Sequence, residues 1–539
     1  MHVADMLTGA DPTAAGQPRT IPQQIASAAR HSPRTPLVVH SDSRPAQTTL
    51  GELYDESLCV ADGLRGLGVQ VGDVVAVQLP NWRECFVAHA AAWLCGAVML
   101  PIVPIYGRRE VEFILRQSGA RVFIAARSVR NRDNAGLLDA LTGLPGLEHR
   151  IVVGDPLSAT IPFTDLASGA ATAVQAHQPA SPEERCLLVY TSGTTSEPKG
   201  VQHSHASLLG EIDAMRALRG AGPEVVSLAA FPSGHIAGVL GIVRMLSRAT
   251  LTVAMDAWDP LAAARLVVKH EVQASGGAPI HLAGLLDAAE RERLNLSSLG
   301  EYTTGAASVT DALIRRADKL GVTAFRSYGS TEHPTISSGT AQDPLDKRAD
   351  TDGRLTPGTQ VRLVDENGAV VVPGQPGEIL SRGPELFVGY FDQALTTQSM
   401  VDGWFRTGDI GILDADGYLR ITDRKKDIIV RGGENISSKE VEDVLMSHPA
   451  VAQAAAVGVP DERLGERVCV FVVLNDGHEL DVSGVREHFT EAGLARQKTP
   501  EVVHVVADLP RTASGKVQKQ PLRERLSADA PMADGDLRR

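Results

Sequence analysis

Hydrophobic positions along the first part of the chain switch repeatedly between two periods. Residues 73–79 (DVVAVQL) form a short apolar, β-branched run, which predicts a buried strand. Residues 84–95 read as a helix, 96–103 as a strand, 109–118 (REVEFILRQS) as a helix and 120–125 (ARVFIA) as a strand again. This alternation predicts βαβ units and parallel sheets. The apolar run at 85–105 is long enough to span a bilayer. Gly96, Pro101 and Pro104 interrupt it and His89 sits inside, so a buried helix, a turn and a buried strand fit it better. A second α/β series is expected from 201 to near 337.

From Gly358 the texture changes. Residues 361–364 and 369–372 are apolar and flank Asp-Glu-Asn-Gly at 365–368, which predicts a hairpin. Residues 410–421 repeat the pattern around Asp-Ala-Asp-Gly at 414–417. The charged run DRKKD at 423–427 follows, and a domain boundary is placed there. Ser437 and Glu440 have capping-box spacing and predict a helix through Leu445. Strands at 451–457 and 468–474 complete a compact α+β unit, and the tail after Leu526 reads as loose.

Composition narrows the field. The net charge of −13 argues against a nucleic-acid partner, which would call for a basic surface. Five scattered cysteines contain no CxxC pair, so neither a zinc site nor a disulfide framework is suggested, and a reducing cytoplasm is the expected compartment. The first residues lack a basic segment followed by an apolar one, so no secretory signal is expected.

The strand-like run 186–190 (CLLVY) is followed by TSGTTSEPKG. Thr191, Ser192, Thr194, Thr195 and Ser196 offer hydroxyl donors, Gly193 lets backbone N–H groups turn inward, and Lys199 adds a positive charge. This set suits a polyanionic phosphate. The spacing is not that of a P-loop, because Pro198 stands where the second glycine should be.

The same loop resembles the signature of the adenylate-forming superfamily, which includes acyl-CoA synthetases, aryl-CoA ligases, luciferases and peptide-synthetase adenylation domains. Further motifs follow in that family's order: Arg326-Ser-Tyr-Gly-Ser-Thr-Glu332, Trp404-Phe-Arg-Thr-Gly-Asp409, the 423–436 segment, and Pro510 with Arg511-Thr-Ala-Ser-Gly-Lys516. The resemblance implies an α/β fold. A large N-terminal domain (1–422) would hold two parallel-type αβα sheets and a small β-barrel-like region. A small mobile α+β domain (423–539) would follow.

The implied chemistry is attack of a carboxylate on the α-phosphorus of ATP with loss of pyrophosphate, then transfer of the acyl group to the thiol of CoA. Lys516 would bridge carboxylate and α-phosphate, and Glu332 would hold Mg²⁺. Besides Thr191, Ser192, Gly193, Thr194, Thr195 and Lys199, the nucleotide site would include the Gly305-Ala306-Ala307 turn. It would also include the 327–331 segment: Ser327, Tyr328 against adenine, Gly329, Ser330, and Thr331 at phosphate. Asp409 would accept from the ribose hydroxyls, with Arg424 assisting; a linker ion pair is the structural alternative for Arg424. His235, Gly238, Gly305 and Gly329 would line the carboxylic-acid pocket, a packed structural imidazole being the alternative for His235. Lys426 would be the hinge, and Gly432 and Gly433 would line the CoA tunnel after domain rotation.

The chain is similar to bacterial ligases for medium-chain, alicyclic or steroid-derived acids. Alternatives are an acyl-adenylate ligase that loads a carrier protein and a non-catalytic nucleotide-binding protein. The expected partners are a small carboxylic acid, ATP and CoA, with no nucleic acid and no integral membrane segment; a homodimer is left open.

Overall fold

The computed structural model describes residues 7–8, 20–130, 132–141, 143–168, 181–191, 198–219, 225–432, 434–461, 463–512 and 515–528. Two large sheets dominate the N-terminal part. One has eight strands, and its body is a parallel run through His149–Val153, Val122–Ala126, Val74–Gln78, Val98–Pro101 and Arg185–Thr191. The other has nine strands and a parallel body from Ala324–Tyr328 through Glu301–Thr304, Ala274–Gly277, Ser227–Ala229 and Thr252–Met255 to Pro36–His40. The β-branched and apolar runs read in the sequence are these strands, covered on both faces as parallel sheets must be.

The largest core lies between the two sheets. It joins Val75 and Val77 of one sheet and Leu37 and Val39 of the other to residues of six described helices: Ile21–His31, Leu50–Gly66, Arg83–Cys95, Phe163–Ala167, His205–Arg219 and Ile236–Arg248. Helix Arg83–Cys95 is apolar all round and buried all round, with Gly96 closing it in a left-handed conformation. The suspect apolar run is therefore a core helix followed by strand Val98–Pro101. Among the described residues no helix is long and apolar enough to cross a membrane. His89 within it is fully buried and donates from Nδ1 to the Cys85 carbonyl at 2.8 Å; burial pushes its pKa down to about 4 and keeps it neutral.

The third sheet is antiparallel and has an open strand order that includes Gln360–Val364, Gly377–Arg382, Trp404–Leu413 and Leu419–Arg424. The turn at 365–368 forms as expected, with Gly368 N–H donating to Asp365 O. Its second arm does not become a strand. Residues 369–372 keep one bridge, Val364 to Val370, and the partner of Gln360–Val364 is Gly377–Arg382 instead. Pro373 follows that arm, and Val370 and Val372 stay exposed while Val371 alone of the arm's three valines packs, half-buried, against the sheet's core.

Strand Leu419–Arg424 carries the first two residues of DRKKD, and a single 3₁₀ turn, Lys425–Asp427, leads out of it. Beyond it, a five-stranded sheet built on the hairpin Val451–Asp461 and Gly465–Leu474 packs helices Ser438–Met446 and Val482–Glu491 over its own core. Ser437 caps the first of these by accepting from Glu440 N–H. The Glu440 carboxylate does not complete the box; it pairs with Lys498 at 2.7 Å.

Candidate active site

The ends of the parallel strands open into one deep cavity of about 920 Å³. Its upper wall comes from the C-terminal ends of three strands of the nine-stranded sheet, at Gly277, Gly305 and Gly329, which is where α/β sheets bind ligands. The antiparallel sheet contributes Asp409 and Arg424, and the C-terminal unit contributes Lys516. Gly277 and Lys516, 239 positions apart in sequence, are thereby brought to one space.

Lys516 is delivered by a tight turn. Thr512 N–H donates to Lys516 O at 2.7 Å, Lys516 N–H donates to Thr512 Oγ1 at 3.1 Å, and Arg511 Nη1 donates to Gly515 O at 2.8 Å. Gly515 has φ +84°, a conformation that favours glycine and explains its place before the lysine. The ammonium makes no ion pair or side-chain hydrogen bond with the described residues. Loss of water and the nearby Arg424 charge push its pKa down to about 8, against the opposing pull of Asp409 and Glu332.

Asp409 is 4% exposed and held from two sides. Tyr328 Oη donates to its Oδ2 and Arg424 Nε pairs with its Oδ1, both at 2.8 Å. The Arg424 contact is the linker ion pair weighed from the sequence, and Arg424 also lines the cavity. Glu332 is half-buried and accepts from Tyr390 Oη at 2.6 Å. Lys199 reaches the same tyrosine, its Nζ 5.6 Å from the ring centroid. Thr331 exposes its side to the cavity while its carbonyl accepts from His203 Nε2 at 2.8 Å.

His235 caps helix Ile236–Arg248 from a turn that the structure packs tightly, and it lines the cavity. Its Nε2 is buried without a partner among the described residues, and burial with the Lys516 charge pushes the ring down to about 4.

The expected site residues divide. Thr191, Lys199, His235, Gly238, Gly305, Ala306, Ser327, Gly329, Ser330, Thr331, Glu332, Asp409, Arg424, Lys426 and Lys516 all line the cavity. Ser192, Gly193, Thr194, Thr195 and Gly433 lie outside the described residues. Thr191 and Lys199 pair as the closing residues of an antiparallel hairpin, so the hydroxyl-rich loop joins two strands rather than a strand and a helix. Ala307 is exposed and does not reach the cavity wall. Gly432 sits exposed on the hairpin Ile429–Arg431 and Glu434–Ile436, away from the cavity.

Gly238 and Gly329, expected to make room for substrate, line the cavity and have a second reason to be glycine. A Cβ on Gly329 would sit 1.9 Å from Pro334 O, and one on Gly238 would sit 2.1 Å from Pro232 O. Both glycines are required by backbone contacts behind the wall. Sequence reading missed Tyr390, which no local pattern announces: strand Gly389–Tyr390 reaches the site by pairing with Val201 and Gln202. It also missed Glu211, Arg219 and Arg244 at the cavity's far end. The first of these shows a four-residue spacing with Met215 and Arg219 that was available to find it.

A cleft that brings the Lys516 ammonium from a separate small unit into a space lined by Glu332, Asp409 and the C-terminal edge of a parallel sheet has the make-up of a two-part ligand site for an anion. The chain belongs to the AMP-binding enzyme family, which matches residues 25–391, with the AMP-binding enzyme C-terminal domain matching 440–516. It is 34% identical over 90% of its length to the medium-chain fatty-acid–CoA ligase of Escherichia coli, covering 86% of that protein. It is 36% identical to the 3-[(3aS,4S,7aS)-7a-methyl-1,5-dioxo-octahydro-1H-inden-4-yl]propanoyl:CoA ligase of Mycobacterium tuberculosis, over 94% of this chain and 99% of the relative. Among solved structures, ATP-bound MatB from Rhodopseudomonas palustris aligns with a TM-score of 0.84 at 26% identity, over 94% of this chain and 98% of that one.

Proposed function

We propose that this enzyme joins a carboxylic acid to the AMP moiety of ATP with release of pyrophosphate and then passes the acyl group to the thiol of CoA. The observation that carries the reading is the Lys516 ammonium, which makes no ion pair among the described residues and lies in the cavity that Glu332, Asp409 and His235 also line. A carboxylate is a poor nucleophile and a triphosphate repels it. A cation held between the two offsets the repulsion and follows charge as it moves to phosphorus.

In this reading Asp409 exchanges its present partners for the ribose hydroxyls, Tyr328 moves to the adenine face, and Thr331, Lys199 and the 191–195 loop take the phosphates. Ser327, Ser330, Gly305 and Ala306 frame the nucleotide. Glu332 suits Mg²⁺ as a single carboxylate. Among the described residues no group of three or more His, Cys, Asp or Glu side chains could hold a metal. Phosphate oxygens and water would complete the shell, as this ion prefers.

The second step needs a different arrangement, because a thiol on a long arm must enter where Lys516 now sits. We place the mobile unit at 423–539 with its hinge at Lys426, and the body at 1–422. The hinge is gripped on both sides: Lys425 pairs with Glu378 at 2.9 Å, and Asp427 with Arg523 at 2.8 Å. Lys425 is the exposed partner of its pair, and the buried Glu378 also holds Arg406 at 2.6 Å, so Lys425 can let go during rotation without leaving that carboxylate unpaired. Gly432 and Gly433 would then line the thiol's path.

The names of the relatives point to a medium-chain or alicyclic acid as substrate, and the five free cysteines suit a reducing cytoplasm. A carrier-protein thiol in place of CoA is the second reading. One chain supplies every residue used, so no homodimer is required.

A pyrophosphate-release assay over a panel of carboxylic acids, with and without CoA, tests this. The expected result is pyrophosphate only when ATP and an acid are both present, and AMP with an acyl thioester once CoA is added. Thioester on a phosphopantetheinyl carrier and none on CoA would select the second reading. Absence of carboxylate-dependent pyrophosphate for every acid would overturn both.

A further inference from the structure

The cavity does not end as a plain apolar pocket. On helix His205–Arg219, the residues Glu211, Met215 and Arg219 recur every four positions and all three line it. On helix Ile236–Arg248, the lining residues Ala237, Gly241 and Arg244 form a second stripe. That helix starts at His235, so position along it measures depth. Ala237 lies beside the mouth, and Arg244, seven residues on at 1.5 Å each, lies about 10 Å deeper. The sheet gives the same direction. Gly277 and Gly305, at the C-terminal ends of their strands, line the nucleotide side. Ser227, Thr252 and Ala274 line the far end and sit in one row at the N-terminal ends of parallel strands.

The groups at the far end are unequally satisfied. Arg219 Nη2 donates to Thr303 Oγ1 at 2.8 Å and its Nη1 faces Glu301 at 3.6 Å. Glu211 accepts from Thr335 Oγ1 at 3.1 Å. Arg244 faces Glu211, Arg219 and Glu301, yet it makes no hydrogen bond or ion pair with any described residue. Burial weakens its hold on a proton, and the Arg219 charge adds to this. A half-buried guanidinium with five donors and no acceptor, set in a cavity wall, gains from a partner that enters the cavity and becomes costly if an apolar group covers it.

We propose that Arg244, backed by Arg219, is a distal subsite for an acceptor oxygen, so that the preferred acid carries an oxo group or a second carboxylate about 10 Å from the carboxylate that is activated. This rests on the carboxylate-activating reading and narrows it. Ala237 and Gly241 leave room for the body of the acid between mouth and floor, and Arg244 sets what its far end must be. A plain alkyl chain that reached the floor would leave the guanidinium buried and unpartnered, and sites built for a polar group reject analogues that lack it.

The test compares decanoic, 9-oxodecanoic and decanedioic acids by pyrophosphate release, in the wild type and in Arg244→Leu and Arg244→Lys. In the wild type, kcat/KM for one of the two oxygen-bearing acids should exceed that for decanoic acid by at least about 10-fold, the low end for one hydrogen bond to a charged group; which of the two leads tells oxo from carboxylate. Arg244→Leu should invert the order, lowering the oxygen-bearing acid and raising decanoic acid, and Arg244→Lys should restore part of the preference. If Arg244→Leu does not fold, the wild-type ratio decides alone. A ratio near one, or a preference for decanoic acid, overturns the subsite while leaving the ligase reading intact. No turnover of any acid overturns the ligase reading itself.

Discussion

Lys516→Ala should lower the rate of acyl-adenylate formation by about 10³-fold, the scale on which removal of one preorganised electrostatic group acts. Thioester formation from supplied acyl-adenylate and CoA should be largely retained. The asymmetry follows from where the residue sits. In the present arrangement its ammonium is in the nucleotide cavity, and Gly432 is exposed elsewhere. If the small unit turns about Lys426 for the second step, Lys516 leaves as the glycine turn enters. Rapid-quench measurement of pyrophosphate, beside steady-state thioester formation from synthetic adenylate, separates the two. Equal loss in both steps would falsify the alternation.

The same residue makes the pH behaviour specific. Lys516 titrates near 8 in the ligand-free protein, below its ordinary 10.5, chiefly because it has lost water. The cation is the active form, so kcat/KM for adenylation should fall about tenfold per pH unit above that value. kcat, which reports the ATP-bound enzyme, should hold to higher pH because the triphosphate favours the ammonium. Stability moves the other way. Between pH 8 and 10.5 the unfolded chain binds more protons at this site than the folded one, so folding stability from this group rises with pH there as activity falls. Parallel thermal melts and rate profiles with Lys516→Ala as control would expose any coincidental alkaline unfolding.

Much of this was legible from residue order alone, and the reason is local. Apolar β-branched runs at 74–78, 122–126 and 185–191 can only be buried strands, and the helices between them force parallel pairing. Lys516, Asp409 and Glu332 were identifiable because each lies in a short motif whose order along the chain matched a family. What escaped was set by distant contacts. The arm at 369–372 looked like its neighbour's partner until Gly377–Arg382 offered a better-buried edge. Gly238 and Gly329 read as substrate room, and the second reason for glycine there, missing Cβ atoms that face carbonyl oxygens of Pro232 and Pro334, came only with the fold. Tyr390 and Arg244 carry no motif, and their relevance comes from what the sheet and helix place opposite them.

Asp409→Asn should raise KM for ATP by roughly 10²-fold or more while leaving the fold intact. The carboxylate offers two acceptor oxygens, and each charged hydrogen bond to a ribose hydroxyl is worth about 1.5–3 kcal/mol. In the ligand-free protein those oxygens hold Tyr328 and Arg424, both at 2.8 Å. An amide of the same shape keeps one acceptor for Tyr328 Oη and loses the ion pair. Arg424, whose side chain is 44% exposed, can return to water, so stability should change by less than the binding does. On the proposed reading ATP competes with partners that already hold this carboxylate, and their release would tie nucleotide entry to the strand that leads into the 3₁₀ turn at Lys425–Asp427. Isothermal titration with ATP and a thermal melt on the same sample check both halves: a large drop in melting temperature with unchanged ATP affinity would assign Asp409 to the scaffold and remove it from the nucleotide site.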